Sequence, residues 1–413
     1  MKIKLQVIRP IHITDGVTGT YSKVDYIFSP SENLLYILDF DKLLGKIDKQ
    51  TYEMFRESFA LGDVEKIRTI VQQVSPDLRV VSNYVVSVDS AAVDTLKTRM
   101  PEIFPYIKTQ TDEGLGVYIP GTSLKGSLRT ALIYTSFKTR INWRKVGEII
   151  RRRDLDRLLE VFGLKVIDKE YYETYIFKRG KYRKKIDINK DPFSLIRIRD
   201  TDIKPLDVLM VTKIVVIDFI TNREIEQLVE IVKENTEFET ELELSRRIIL
   251  VNRVRRNEQF MQFRYLFQID DFSNLETIEN QVKEQIVRRI NEFSRDVIEY
   301  DRRIVQEINE NLGGHPLCRQ YLDELNELEQ TLRNCRENEF ILPIGRFTGS
   351  ISKSLLILYV SYYLTNYYKE QALGEYLAQL LRRYYKDVKQ IFPVSRKLID
   401  KIALIGWLKG KIT

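Results

Sequence analysis

Short runs of alternating polar and apolar residues, each closed by a turn signal, recur through this chain without strict alternation with helices. That arrangement argues for an α+β fold with mostly antiparallel sheets over a doubly wound parallel sheet. The opening "MKIKLQVIRP" alternates like a strand over residues 2–9, and "YIFSPSENLLYILDF" reads as a hairpin across Ser-Pro-Ser-Glu-Asn. Helical periodicity runs from Asp48 to Val74 with a break at Leu61-Gly62-Asp63, and strands return at "NYVVSVD" and around Val117–Ile119. Lys138 to Phe162 is helical in pattern. Further on, "LIRIRD", "LDVLMVTKIVVI", "FETELELS" and "QFMQFRYLFQID" read as extended, and Asn222–Glu234 as a helix. Long amphipathic helices are expected over Asn274–Asn311 and Pro316–Asn334, and "FPVSRKLIDKIALIGWLKGKI" closes the fold as a strand or short helix. A border near residue 200 divides the chain into 1–200 and 201–413.

Composition narrows the function. The chain has 413 residues, enough for two or three cores, and its 43% apolar and 30% charged content is that of a folded protein. An excess of 66 Lys+Arg over 59 Asp+Glu gives +7, which is compatible with RNA or DNA. Two cysteines, Cys318 and Cys335, make no disulfide framework and suggest a reducing compartment. The N-terminus has no signal-peptide core. The apolar run "VLMVTKIVVIDFI" carries Lys213 and Asp218, and "LLILYVSYYL" is too short to cross a bilayer. A cytoplasmic protein without a membrane partner is expected. Only two histidines occur, His12 and His315, which removes most His-dependent catalysis and most zinc chemistry. His315, Cys318 and Cys335 have irregular spacing for a metal; a helix start at Pro316 explains them better.

One segment does more than shape the fold. In "YIPGTSLKGSLRTALIYTSF", Pro120-Gly121 makes a turn, and Thr122 or Ser123 is expected to cap a helix. Leu124, Leu128, Ala131 and Leu132 form one buried face. Lys125 and Arg129 share another face near the helix start, where free N–H groups and the dipole already favour an anion. Gly121 and Gly126 bring no side chain that would hold a phosphate away. A plain cap with two solvated cations is the competing explanation, but cations at a helix N-terminus oppose the dipole.

The device recurs in "LPIGRFTGSISKS", where Gly345 and Gly349 flank Arg346, and Lys353 follows. Neither copy is a nucleotide P-loop, because neither has Gly directly followed by Lys and Ser/Thr. Residues 177–190, "FKRGKYRKKIDINK", hold seven Lys/Arg against one Asp, read either as a solvated loop or as an arm for phosphates. No major-groove reader is present, so single-stranded nucleic acid held by its backbone is the better candidate.

"IPGTSLKGSLRTAL" resembles the central signature of the repeat-associated RNA-binding proteins (RAMP superfamily) of CRISPR systems. "VIRPIHITDGVTG" is similar to that family's first strand and turn, with Thr14 in place of a glycine and Gly16 retained. "LPIGRFTGSISKS" and "FPVSRKL…IGWLKG" resemble the glycine-rich and closing elements of one branch, the subunit capping the guide 3′ end in type III-A (Csm) complexes. The resemblance implies RRM-like, ferredoxin-like antiparallel sheet domains with helical insertions. It implies that His12 and Gly16, then Gly121, Ser123, Lys125, Gly126 and Arg129, then Gly345, Arg346, Gly349 and Lys353, lie in turns against CRISPR RNA. The partners implied are that guide, target RNA through the complex, neighbouring backbone and small subunits, and nucleases acting in trans to mature the guide. No cofactor and no metal are expected. The aromatic stacking motifs of an RRM are absent.

The family role implied is non-catalytic. The alternative is a ribonuclease of the same superfamily. It would need His12 as an acid or base, or Asp15 or Asp25 on a metal; a lone Asp is a weak metal signal and Asp before Gly is also a turn pair. "RDTD" (199–202) reads as a salt-bridged turn with Arg197 and Arg199.

Overall fold

The computed structural model describes residues 1–14, 19–138, 191–219, 223–248, 263–264, 266–349, 352, 395–401 and 403–413. From the N-terminus run β1 (Lys2–Arg9), the hairpin β2 (Tyr26–Ser29) and β3 (Leu34–Leu38), and helices α1 (Phe40–Leu44), α2 (Lys49–Leu61) and α3 (Val64–Val74). Next come β4 (Ser82–Val88), α4 (Ser90–Thr98), β5 (Ile103–Phe104), β6 (Lys108–Thr111), β7 (Gly114–Val117) and α5 (Gly121–Lys138). The second half supplies β8 (Ile196–Ile198), β9 (Lys204–Pro205), β10 (Leu209–Asp218), β11 (Arg223–Val232) and β12 (Glu237–Leu244). Helices α6 (Leu275–Asn311) and α7 (Pro316–Arg333) follow, then β13 (Glu339–Pro343), β14 (Ser395–Ile399) and β15 (Trp407–Ile412).

A five-stranded sheet has the order β13-β15-β1-β12-β8, antiparallel throughout. A second sheet runs β2-β3-β4-β10-β11-β5, with β14 also on β10; its β4–β10 and β11–β5 pairs are parallel. A small sheet joins β6, β7 and β9. Both large sheets take strands from either side of residue 200. The fold is thus α+β, as the alternating runs imply, and ferredoxin-like, as the family resemblance implies. Among the described residues, no helix is long and apolar enough to cross a membrane.

Local chemistry explains most boundaries. Gly62 ends α2 at φ 67, where a glycine has no Cβ penalty, and the Asp63 carboxylate then caps α3 by accepting from Lys66 N. Asn274 caps α6, and His315 with Pro316 opens α7. In β1, Ile3, Leu5 and Val7 face the core, while Lys2 and Lys4 face water. Beneath this sheet lie α5, α6 and α7, in one large apolar cluster. A separate cluster sits under α1–α3, and a third, with Val229, Ile231 and Phe347, covers the other side of β10–β11.

Three expectations need correction. Residues 223–232 form β11, not a helix. Ile225, Leu228, Val229 and Val232 have helical spacing, yet the segment pairs with β10 from Leu209↔Val232 to Asp218↔Arg223. β10 is buried along most of its length and needs a partner on each edge, so tertiary pairing overrides the local period. Among the described residues of the "QFMQFRYLFQID" run, 263–264 and 266–267 are helical rather than extended and 268–270 leave the helix; Phe263 and Phe267 lie 4.7 Å apart between ring centroids, one turn apart. The tail makes two strands, β14 and β15, on different sheets.

The outer face of the five-stranded sheet carries alternating charge rows. Glu237, Glu239, Glu241 and Glu243 line β12. Beside them, Lys4 meets Glu239 at 3.2 Å, Lys409 meets Glu339 at 3.0 Å, and Arg199 pairs with Glu241 at 3.4 Å and with Glu243. Lys4→Gln should leave stability within about 0.5 kcal/mol, measured by the urea midpoint; the Lys4–Glu239 pair is largely exposed.

Candidate nucleic-acid interface

The central turn is held from below. Ile119 N donates to Thr201 Oγ1 at 2.9 Å and Ile119 O accepts from Thr201 N at 3.1 Å. Helix α5 begins at Gly121, one or two residues before the expected cap at Thr122 or Ser123, because Gly121 N donates to Asp200 Oδ1 at 2.7 Å. A carboxylate 79 residues away does what a local Ser or Thr does elsewhere. A Cβ on Gly121 would collide with Ile198 O and lie 2.7 Å from the Arg199 carbonyl carbon. Gly121 therefore serves close backbone packing against β8. Gly126, by contrast, is exposed and faces open space.

Lys125 and Arg129 do lie on one face, and that face meets residues 191–196. Lys125 Nζ donates to Ile196 O at 2.7 Å, and burial holds its pKa below the usual lysine range. An ammonium has three donors, so this bond leaves it chemically able to take a phosphate as well. Arg129 pairs with Asp191 at 2.9 Å and lies over the Phe193 ring at 4.8 Å. These partners tie both side chains to residues 191–196, and with α5 starting at Gly121 both cations lie beyond its first turn, where the dipole penalty has fallen off. Ser123 is half-buried beside them.

The first and last turns form one structure. His12 O accepts from Arg346 N at 2.9 Å, and Pro10 O accepts from Gly406 N at 2.7 Å. Gly345 has φ 98, and a Cβ there would sit 2.6 Å from His12 O. The Arg346 guanidinium lies over Phe104 at 4.5 Å and Phe347 at 5.6 Å, and Lys397 Nζ lies 5.4 Å from the Phe347 ring centroid. Gly349, at φ 87, faces open space. Gly16, Lys353, Asp15 and the basic run 177–190 lie outside the described residues.

Segment 104–108 joins this assembly to the central turn. Ile107 N donates to Ile13 O at 2.8 Å, and Tyr106 OH donates to Tyr118 O at 3.2 Å. Glu230, on β11, is fully buried; its carboxylate accepts from Tyr84 OH at 2.6 Å, Tyr106 N at 2.8 Å and Lys108 Nζ. Burial, then the adjacent Glu230, pushes the Tyr84 phenol well up. Sequence reasoning missed Phe104, Tyr106, Lys108, Glu230 and Lys397. A lone glutamate inside "LVEIV" is the available signal for Glu230, but a helical period over this segment sets it away from Ile225, Leu228, Val229 and Val232.

His12 is 1% exposed, with Nδ1 2.7 Å from Glu230 O, so the surface does not offer it as an acid or base. The "RDTD" segment is a salt-bridged turn with different partners: Arg199 reaches Glu241 and Glu243, while Asp202 takes Lys204 at 2.7 Å. No group of three metal-ligating side chains occurs among the described residues. His315 accepts from Leu317 N as a helix cap.

The α+β, ferredoxin-like fold, with the segments around residues 10–14, 104–121 and 344–349 tied to one another, defines the structural class to which the chain is compared. The profile of the RAMP superfamily matches residues 4–383, and the chain belongs to that superfamily. It is similar to the CRISPR system Cms protein Csm5 of Methanocaldococcus jannaschii, 24% identical over 209 residues, which is 49% of this chain and 42% of that protein. The match thus spans less than half of that relative's length. Its fold resembles a chain in the cryo-EM structure of a type III-A Csm–crRNA–target RNA ternary complex, with a TM-score of 0.65, 20% identity and 99% of each chain covered. The crystal structure of T. onnurineus Csm5 is similar too: TM-score 0.59, 18% identity, 98% of this chain and 99% of that one.

Proposed function

We propose that this chain is a non-catalytic RNA-binding subunit of a type III-A CRISPR complex, holding the 3′ portion of the guide and capping the assembly. The observation that supports this reading is that the described segments next to the first, central and last glycine motifs are bonded to one another through His12, Tyr106 and Arg346. Gly126, Arg346 and Gly349 line the outward side, with Lys125, Arg129 and Ser123 behind the central turn. His12, Gly121 and Gly345 shape the turns from beneath, and Gly16 and Lys353 belong to them by sequence. Target RNA is reached through the complex. Neighbouring backbone and small subunits continue the filament, and nucleases in trans trim the guide.

Labelled single-stranded RNA with a repeat-derived 3′ end tests this, with and without Mg²⁺. Binding without cleavage is expected in both. Lys125→Ala and Lys353→Ala should each weaken binding similarly across sequences and flatten the salt dependence by about one unit. An unchanged slope in both variants removes the turns from the interface. Cleavage that is lost in Asp15→Ala would replace this reading with the ribonuclease one.

A further inference from the structure

Glu230 is an odd residue for the middle of a sheet. A buried carboxylate needs charge and hydrogen bonds to offset its desolvation, and an apolar side chain would serve a strand at least as well. Its partners come from different parts of the chain. Tyr84 belongs to β4, while Tyr106 and Lys108 lie at the entrance to β6. The Tyr84 hydroxyl in turn lies 3.0 Å from that of Tyr21. The Lys108 ammonium sits 4.6 Å from the Tyr84 ring centroid, and its side chain is only 8% exposed.

What these partners hold is the interface. Tyr106 reaches Tyr118 O, which opens the central turn. Ile107, between the two residues bound by the carboxylate, is tied to Ile13 O. The backbone oxygen of Glu230 meets His12 Nδ1, and His12 O carries Arg346 N. One residue therefore stands where the connections among the first, central and last turns cross, its side chain holding Tyr106 and Lys108 and its backbone oxygen holding His12.

We infer that Glu230 is a positioning residue for the nucleic-acid interface, fixing the spacing of the three turns through Tyr106 and Lys108 without touching RNA. The inference rests on the RNA-binding reading above. A phosphate chain meets all three turns at once only if they are already in place. Loosening them makes binding carry the cost of ordering them, while the number of phosphate contacts in the bound state stays the same. Weaker affinity at an unchanged salt slope is the signature of such a role. A contact residue would change the slope, and a merely structural residue would change stability alone.

The test compares the full-length protein with Glu230→Ala, Glu230→Gln, Lys108→Met and the double variant Glu230→Gln/Lys108→Met. Amide hydrogen exchange of the free protein reports residues 104–121 and 344–349, with β1 and α6 as reference. Binding is read with the same labelled single-stranded RNA across a salt series. Glu230→Ala should speed exchange in both turn segments and weaken RNA affinity about tenfold with an unchanged slope. The double variant should recover to within about threefold, because an amide oxygen still accepts from Tyr106 N and no buried charge is left unpaired. If Glu230→Ala fails to fold, Glu230→Gln against the double variant carries the same comparison. Affinity within about twofold of wild type, with exchange in the turns unchanged, overturns the inference, as does a slope reduced by about one. A wild-type protein that binds no RNA would instead refute the RNA-binding reading, and the exchange comparison would still decide whether Glu230 couples the turns.

Discussion

Gly121→Ala is expected to destabilise the fold by about 3 kcal/mol, at the upper end of what an overpacked site costs. The methyl group would meet backbone, not a movable side chain: Ile198 O and the Arg199 carbonyl carbon at 2.7 Å. Helix α5 can make room only by lifting away from β8, and that stretches the bond from Gly121 N to Asp200. The buried helix behind it then loses register, including Tyr134 OH to Asp296 at 2.7 Å. Urea unfolding measures the effect. A midpoint equal to that of wild type would show that this glycine is not required by packing.

Gly126→Glu, five residues further on, should do the opposite. Nothing lies within 4 Å of a Cβ there, and glutamate is a better helix former than glycine. Stability should hold or rise by a few tenths of a kcal/mol. RNA affinity should fall about tenfold at low salt, and the loss should shrink as salt screens the new charge. Anisotropy titrations at two ionic strengths check this. Unchanged affinity would mean that the exposed side of the central turn does not face the nucleic acid.

The contrast between these two glycines marks what was legible. The period of Leu124, Leu128, Ala131 and Leu132 gave the buried face of α5, and the Gly62-Asp63 pair gave a helix stop and a helix start. Such features depend on neighbours within one turn, which is the range over which residue type acts. The charge pattern also located Lys125 and Arg129 on one helix face. It did not reveal that Asp191 and Ile196 would meet that face, since these partners lie 62 and 71 residues away. The helical period of 223–232 misled because β10 demanded a strand beside it. Glu230 was hidden by the same error.

By itself, then, the amino-acid order determined the class of fold, the buried face of α5 and the superfamily, all carried by short-range pattern. Tertiary structure alone decided which glycines lie under this chain's own backbone and which face outward, and it alone brought Glu230 to the junction of three turns. The physical reason is that close approach and burial depend on what arrives from distant sequence, and no local period encodes the identity of that neighbour.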